Sequence, residues 1–441
     1  MPGDLVKAAA RAAAGTALPP ARPRGDRAAR IVFWIAAYLF LFYLFRKAGA
    51  IAIEAPHIDV HRVDFVAFWA AARLALAGQP LAAFDPAALF AAAELAGEAP
   101  KNLLWLYPPG FLALIAPLGA LPHWAAWSVF VLVSAAALAR AARAPAAGLP
   151  GGWRLMVVSP LLLMGVFDIG QTSALWAAAL IAALWSLRQG RPAMAGLCIA
   201  LLTLKPQLGL LIPVALAADR QWRTIGWATG FAAIILLAST LLFGAAYWPQ
   251  FLAALAEVTD RLEAGTSSMT KLVSFYGFAR MSGLGHGAAL WIQWPAAVAL
   301  AAAVAWVWSR RDTGPDLKAA LLCAAIPLAT PYAYYYEMTT TLAAGLFLAR
   351  DGFGRSLAAR LWLLVIWLGP IPVLYTPALT DQVTFAGTPI MAVTVAICLA
   401  RAWRRTRPAP AGLPEPTDRA ADGLPDDPPR TTPPGRPAAG T

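Results

Sequence analysis

Ala195–Arg223, AGLCIALLTLKPQLGLLIPVALAADRQWR, holds two apolar segments separated at Lys205-Pro206 and closed by the charged group Asp219 to Arg223. As runs over about 192–204 and 206–218, each is shorter than the roughly 20 residues that a full membrane span needs. Together they predict a broken helical hairpin whose tip, Leu204-Lys205-Pro206-Gln207, sits below the membrane surface. A lysine at such a break must be solvated, snorkelled to the interface or paired, and ionisable groups at that depth are functional candidates by default. Lys205 is therefore a candidate for binding phosphate or another ligand, with Gln207 beside it as a further candidate binding residue.

Similar apolar runs recur on both sides, from 31–53 to 386–400, about twelve in all and with no long hydrophilic interruption. A chain of 441 residues that is 60% hydrophobic and 13% charged is too apolar for a water-soluble domain of this length. The fold expected is all-α and polytopic. One membrane domain over 31–405, of about 10–12 transmembrane or partly embedded helices with external amphipathic helices, is flanked by a basic tail at 1–30 and a tail at 406–441. The second tail is rich in Pro, Gly, Asp and Arg and is expected to be disordered. The first run reads as a retained anchor, since the chain continues into further spans.

A net charge of +12 would suggest nucleic acid in a soluble protein, but here the basic residues punctuate membrane segments. No nucleic-acid partner is expected. Cys198, Cys323 and Cys398 lie inside apolar runs, and neither they nor the four histidines have a metal-ligand spacing, so no metal and no cofactor are expected.

Basic residues also set the sidedness. With a cytoplasmic N-terminus, 26 of the 35 Lys and Arg fall inside, and both termini come out cytoplasmic. Asp64, Tyr107-Pro108-Pro109, Asp168 to Gln171, Lys205 to Gln207, Lys271, Tyr332 to Glu337 and Asp381 then fall on external loops or external helix ends. An extracytoplasmic site is the simplest consequence.

Two external stretches, about 54–107 and 245–286, are longer than connectors require. In the first, Phe65, Phe68, Trp69, Ala72 and Leu76 recur at helical spacing before Gly78, predicting an amphipathic helix suited to the membrane face. Asp64 opens it and can cap it, act as a general base held at the membrane surface, or do both. Asp59 is a weaker alternative for the base. Asp85 before Pro86 reads as the cap of a second short helix ending at Gly97. Tyr107 is either an interfacial tyrosine at a rigid helix entry or a wall of a lipid groove. Asp168 and Gln171, at a tight hairpin turn, can cap a helix or bind a sugar hydroxyl. Lys271 is a second candidate for phosphate, and Arg73 can pair with a carboxylate or a phosphate. In TPYAYYYE, Thr330 to Glu337, an aromatic belt accounts for the tyrosines, while Tyr336 and Glu337 are candidates for binding sugar or acceptor, and Glu337 can also support a basic partner.

An ordered set of these stretches resembles glycosyltransferase family GT87, of the GT-C type. It comprises Asp64–Pro86 (DFVAFWAAARLALAGQPLAAFDP), Tyr107–Pro122 (YPPGFLALIAPLGALP), Gly170–Leu180 (GQTSALWAAAL), Ala195–Arg223, Met269–Gly283 (MTKLVSFYGFARMSG) and Ala329–Glu337 (ATPYAYYYE). The family includes polyprenyl-phosphate-mannose-dependent alpha-1,2-mannosyltransferases. The resemblance spans roughly residues 30–400. It implies a bacterial cytoplasmic-membrane hexosyltransferase with a GT-C fold, a polyprenyl-phosphate-linked sugar such as a mannose as donor, a lipid or glycan acceptor, and inversion at the anomeric carbon. It also implies that Asp64 is the base and Lys205 the lysine of the family's LKP motif. Tyr336-Glu337 departs from the family's usual Tyr-Asp.

The chemistry is consistent with that inventory. A sugar phosphate carries a leaving group that is already a stable anion, so one carboxylate suffices, unlike the two needed for glycoside hydrolysis. The competing reading is a secondary transporter or flippase, which the number of passes also suits. Transporters gather polar residues near the midplane, whereas here they gather on one face.

Overall fold

The computed structural model describes residues 64–97, 103–149, 165–264 apart from Asp168, 269–373 and 385–406. The tail at 1–30, the anchor at 31–53, Asp59, Asp168, Asp381 and the chain beyond Thr406 lie outside the described residues. Among those described, sheet-like pairing is confined to one antiparallel bridge between Leu272 and Tyr334, and helices make up the rest of the regular structure.

The first lobe consists of α1 (Phe65–Leu76), α2 (Pro86–Glu94) and α3 (Pro109–Ile115). The sequence pattern suits α1 to the membrane face, but its first eight residues, Phe65 to Ala72, are buried on every side. Small side chains explain the difference, because alanines let neighbouring backbone close in. A Cβ at Gly119 would stand 2.6 Å from the carbonyl carbon of Ala72. Trp69 donates from Nε1 to the Leu121 carbonyl at 2.9 Å and ties the same two segments together. Asp85 caps α2 as expected, accepting from the Ala87 N–H at 2.9 Å, with Pro86 at the first helical position.

Next come α4 (His123–Ala146), α5 (Ser173–Arg188), α6 (Pro192–Leu202), α7 (Leu211–Ala218) and α8 (Trp222–Phe243). The broken hairpin expected at 192–218 is α6 and α7, joined through a single 3-10 turn at Pro206–Leu208. At 1.5 Å per residue α6 is about 16 Å long and α8 about 33 Å, so only α8 is of spanning length. The two lie in direct contact, since a Cβ at Gly196 would meet Trp227 Cβ at 2.5 Å and the Ala228 nitrogen at 2.8 Å.

The second half holds α9 (Tyr247–Glu263), α10 (Phe275–Met281), α11 (His286–Ser309), α12 (Pro315–Ala325), α13 (Thr339–Arg350), α14 (Leu357–Leu368) and α15 (Gly387–Thr406). Leu317 and Ala319 to Ala325 of α12 are all buried, which makes it the central post, with α13 and α15 against it. Of the described helices, α4, α8 and α11 are long and apolar enough to cross a bilayer. Their outward faces carry Leu132, Val133, Ile234, Leu237, Leu241, Trp291 and Val298, all exposed, a surface that only lipid would cover favourably. The protein is an all-α, polytopic membrane protein in which spanning helices surround shorter ones broken by Pro and Gly.

The α6–α8 contact leaves no room for a side chain. Gly196→Val is expected to destabilise the protein by about 1–3 kcal/mol. Gly226→Ala, one residue before the contact but in open space, is expected to leave stability unchanged or raise it. Thermal unfolding of the purified protein in detergent distinguishes the two outcomes.

Candidate active site

Asp64 precedes α1, outside the three spanning helices, and its carboxylate does not cap that helix. Instead Oδ2 accepts a 2.7 Å hydrogen bond from Gln171 Nε2. The reason lies in the turn that carries Gln171. Gly170 N–H bonds to the Phe167 carbonyl and Gln171 N–H to the Val166 carbonyl, a Schellman closure with Gly170 in the left-handed region at φ +70°. A Cβ on Gly170 would stand 2.3 Å from Phe65 Cβ, so only glycine lets this turn press onto the start of α1 and bring Gln171 to Asp64.

The residue Asp64 is open to solvent, yet protein surrounds its carboxylate on most sides, as at the floor of a cleft. Burial pushes its pKa above the ordinary carboxylate value; the hydrogen bond from Gln171, then the charges of Lys271 and Lys205, pull it down without cancelling the rise. The phenols of Tyr107, Tyr334 and Tyr336 lie within electrostatic reach of the same carboxylate.

Lys205, at the break between α6 and α7, is buried and forms an ion pair with the buried Glu337. Its ammonium also sits 4.8 Å from the ring centroid of Tyr336, on which Tyr334 stacks at 5.5 Å. Ser173, the first residue of α5, donates from Oγ to Glu337 Oε2 at 3.4 Å, and Thr339 Oγ1 donates to the Ser173 carbonyl at 3.2 Å. Glu337 therefore faces the interior of the bundle. Lys271, by contrast, is exposed and has no ion-pair partner among the described residues. Its segment is held by Val273 N–H to the Ala333 carbonyl at 2.8 Å and by Ser274 Oγ to the Pro331 carbonyl at 2.8 Å.

Asp64, Tyr107, Gln171, Lys205, Lys271, Tyr336 and Glu337 thus converge from six segments of the sequence. Gln207 lies half-buried just past Lys205. Arg73 is nine residues along α1 from Asp64, about 14 Å at helical rise, and stacks on Trp69 with 5.0 Å from guanidinium carbon to ring centroid. Asp168 is outside the described residues. Not anticipated were Thr172, whose buried hydroxyl lies beside the Tyr107 phenol, and Ser173. Their only signal was position, immediately after Gln171 at the head of a helix. The oxygen of the Gln171 amide, Oε1, is buried and without a hydrogen-bond partner among the described residues. Because a carboxylate only accepts, the amide nitrogen must face Asp64, and Oε1 is left for another donor. Among the described residues no three His, Cys, Asp or Glu side chains converge as a metal-holding group.

The sequence profile described as glycosyltransferase family 87 matches residues 105–331, just over half of the chain. The chain belongs to glycosyltransferase family 87. None of the curated proteins or solved structures with which it was compared matches it. As a family 87 member it is a membrane glycosyltransferase. The matched interval includes Tyr107, Gln171, Lys205 and Lys271, whereas Asp64 and Glu337 lie on either side of it.

In this glycosyltransferase the Lys205–Glu337 pair is held where neither charge is tolerable alone. Glu337→Gln leaves a buried unpaired ammonium, at a cost of about 3–5 kcal/mol. Replacing both residues, Lys205→Met with Glu337→Leu, is expected to return the melting temperature closer to wild type than either single change. A double-mutant cycle of thermal unfolding reads this directly.

Proposed function

We propose that this protein transfers a hexose such as mannose from a polyprenyl-phosphate-linked donor to a hydroxyl of a lipid or glycan acceptor, with inversion, on the extracytoplasmic face of a bacterial cytoplasmic membrane. The single observation that carries the reading is Asp64: a carboxylate surrounded by protein on most sides, one of its oxygens accepting from the Gln171 amide nitrogen, with the cation Lys271, unpaired among the described residues, close enough to act on it.

On this reading the acceptor oxygen attacks the anomeric carbon as the bond to the phosphate oxygen breaks, and the polyprenyl phosphate leaves as an anion. Asp64 takes the acceptor's proton in the same step. Lys271 meets the phosphate, and its exposure leaves it free to do so. The charge of Lys205 is already balanced by Glu337, so this pair forms a wall that positions Tyr336, with Lys205 a weaker counter-ion to the phosphate. Gln171 Oε1, buried and without a hydrogen-bond partner among the described residues, is a polar atom that a sugar or acceptor hydroxyl would satisfy. Sidedness rests on charge. The helices that begin at the cleft, α5 and α13, end at Arg188 and Arg350, and basic residues concentrate at that far end as they do on cytoplasmic faces.

The test is transfer from polyprenyl-phosphate sugars by purified protein. Asp64→Asn is expected to fold normally and to lose at least about a hundredfold in rate, the lower bound of the loss that removing a general base produces; normal turnover by a folded variant would remove Asp64 from the mechanism. Since a base must be ionised, the rate should fall as pH drops through an inflection above the ordinary carboxylate value of 3.8. Gln171→Leu removes the hydrogen bond that lowers this pKa, so its acidic limb should shift to higher pH, which a merely structural role would not produce.

A further inference from the structure

At the end of α5 and α6 remote from Asp64, a surface cavity of about 490 Å³ opens between the first turns of α6 and α8. Three arginines line it: Arg191, which precedes α6, and Arg220 and Arg223, which flank the start of α8. All three are exposed, and among the described residues none makes an ion pair. The nearest acid in sequence, Asp219, is already engaged by Lys318 at 2.5 Å and by Gln221 at 2.8 Å. Like charges gathered without a counter-ion repel one another, so the arrangement is favourable only with an anion among them.

Two further features point the same way. Neither α6 nor α8 has a side-chain cap, so the cavity receives two positive helix ends with unsatisfied N–H groups. Thr224, in the first turn of α8, is fully buried and lines the cavity, yet its Oγ1 has no hydrogen-bond partner. A buried hydroxyl without a partner costs about 1–3 kcal/mol. An oxygen-bearing ligand in the cavity would supply the missing bond.

We infer that this cavity is a binding site for a phosphate group, held by Arg191, Arg220, Arg223 and Thr224 at the paired N-termini of α6 and α8. A phosphate can arrive as the headgroup of an anionic lipid or as free phosphate. The setting suits a headgroup, because Trp222 beside the arginines is exposed, as interfacial anchors are, and α8 below it presents Trp227, Ile234, Leu237 and Leu241 outward. The site lies at the opposite end of the bundle from Asp64 and does not depend on the identity of donor or acceptor.

Thermal unfolding of the full-length protein in a neutral detergent, titrated with phosphatidylglycerol, phosphatidylcholine or inorganic phosphate, tests this. Phosphatidylglycerol should raise the midpoint saturably and phosphatidylcholine should not. The triple change Arg191→Gln, Arg220→Gln, Arg223→Gln should need at least tenfold more phosphatidylglycerol for the same shift, and Thr224→Val severalfold more. Without lipid both should unfold no lower than wild type, since they break no ion pair and relieve the charge repulsion or the unsatisfied hydroxyl; a Lys-for-Arg triple variant, which retains the charge, should retain much of the response. An arginine-dependent shift with inorganic phosphate in place of lipid would also support the site and would identify free phosphate as its ligand. Equal responses of wild type and the Gln variant to both phosphatidylglycerol and inorganic phosphate, or a shift with phosphatidylcholine as large as that with phosphatidylglycerol, would overturn it.

Discussion

A lysine ammonium and a glutamate carboxylate meet inside this apolar bundle, and neither could remain charged there alone. Lys205 comes from the break between α6 and α7, and Glu337 from just before α13, 132 residues away. Their pairing fixes where the broken hairpin stops. Glu337 also lies beside the first turns of α5 and α13, whose unsatisfied N–H groups favour a negative charge. Ser173 donates to it and Thr339 joins the same network. A departure of a few ångströms by any one of these helix ends would expose the pair to an unfavourable environment. Thus the pair sets the positions around which the cleft forms.

The cleft is then closed from the other side by a steric condition. Gly170 permits the turn that presents Gln171, and the same absence of a side chain lets Phe65 approach it. Asp64 is positioned by a neighbour on a different segment and is thereby left uncapped. That distinction matters chemically: a capping carboxylate accepting backbone N–H bonds is made less basic, whereas this one is raised by burial and only partly lowered by a single amide. The lobe behind it is stiffened by indole and phenol hydrogen bonds, with Trp105 Nε1 donating to Tyr247 Oη at 2.6 Å and Tyr247 Oη donating to the Tyr107 carbonyl at 3.2 Å.

Much of this could be read from the sequence, for reasons that separate local from non-local physics. The hairpin break at Lys205-Pro206, the Asp85 cap and the amphipathic spacing of α1 are encoded by adjacent residues, and each produces a helix end or a helix where expected. Charge placement gathered Asp64, Gln171, Lys205, Lys271 and Glu337 on one side without any knowledge of contacts. What periodicity could not reveal was partnership. The burial of α1 depends on Gly119, 47 residues beyond Ala72, and the pairing of Lys205 with Glu337 depends on two loops meeting. Arg73 looked equivalent to the other basic residues because sequence proximity to Asp64 conceals the length of an intervening helix. Thr172 and Ser173 carried no signal beyond following Gln171.

The two ends of the bundle use charge in opposite ways. At the end away from the cleft, each of two acids binds a pair of basic residues. Asp316 takes Arg188 at 2.6 Å and Arg350 at 3.1 Å, and Asp351 takes Arg401 at 2.5 Å and Arg405 at 2.7 Å. These bonds cross-link α5, α12, α13 and α15 where water can solvate any remaining charge, so they tolerate small errors in geometry. Around Asp64 charges are few: Lys205 and Glu337 are buried and committed to each other, while Asp64 and Lys271 are open to solvent. A cross-linked end and a sparsely charged end give a bundle that can admit a substrate at one face without loosening at the other. Arg191, Arg220 and Arg223, which take no part in this cross-linking, line one cavity, and among the described residues Arg220 is the single non-glycine at positive φ, +56°. The equivalent turns at Gly170 and Gly190 place glycine there. An arginine in that strained position costs about 1 kcal/mol or more relative to glycine, which makes sense if its side chain is required where the turn directs it.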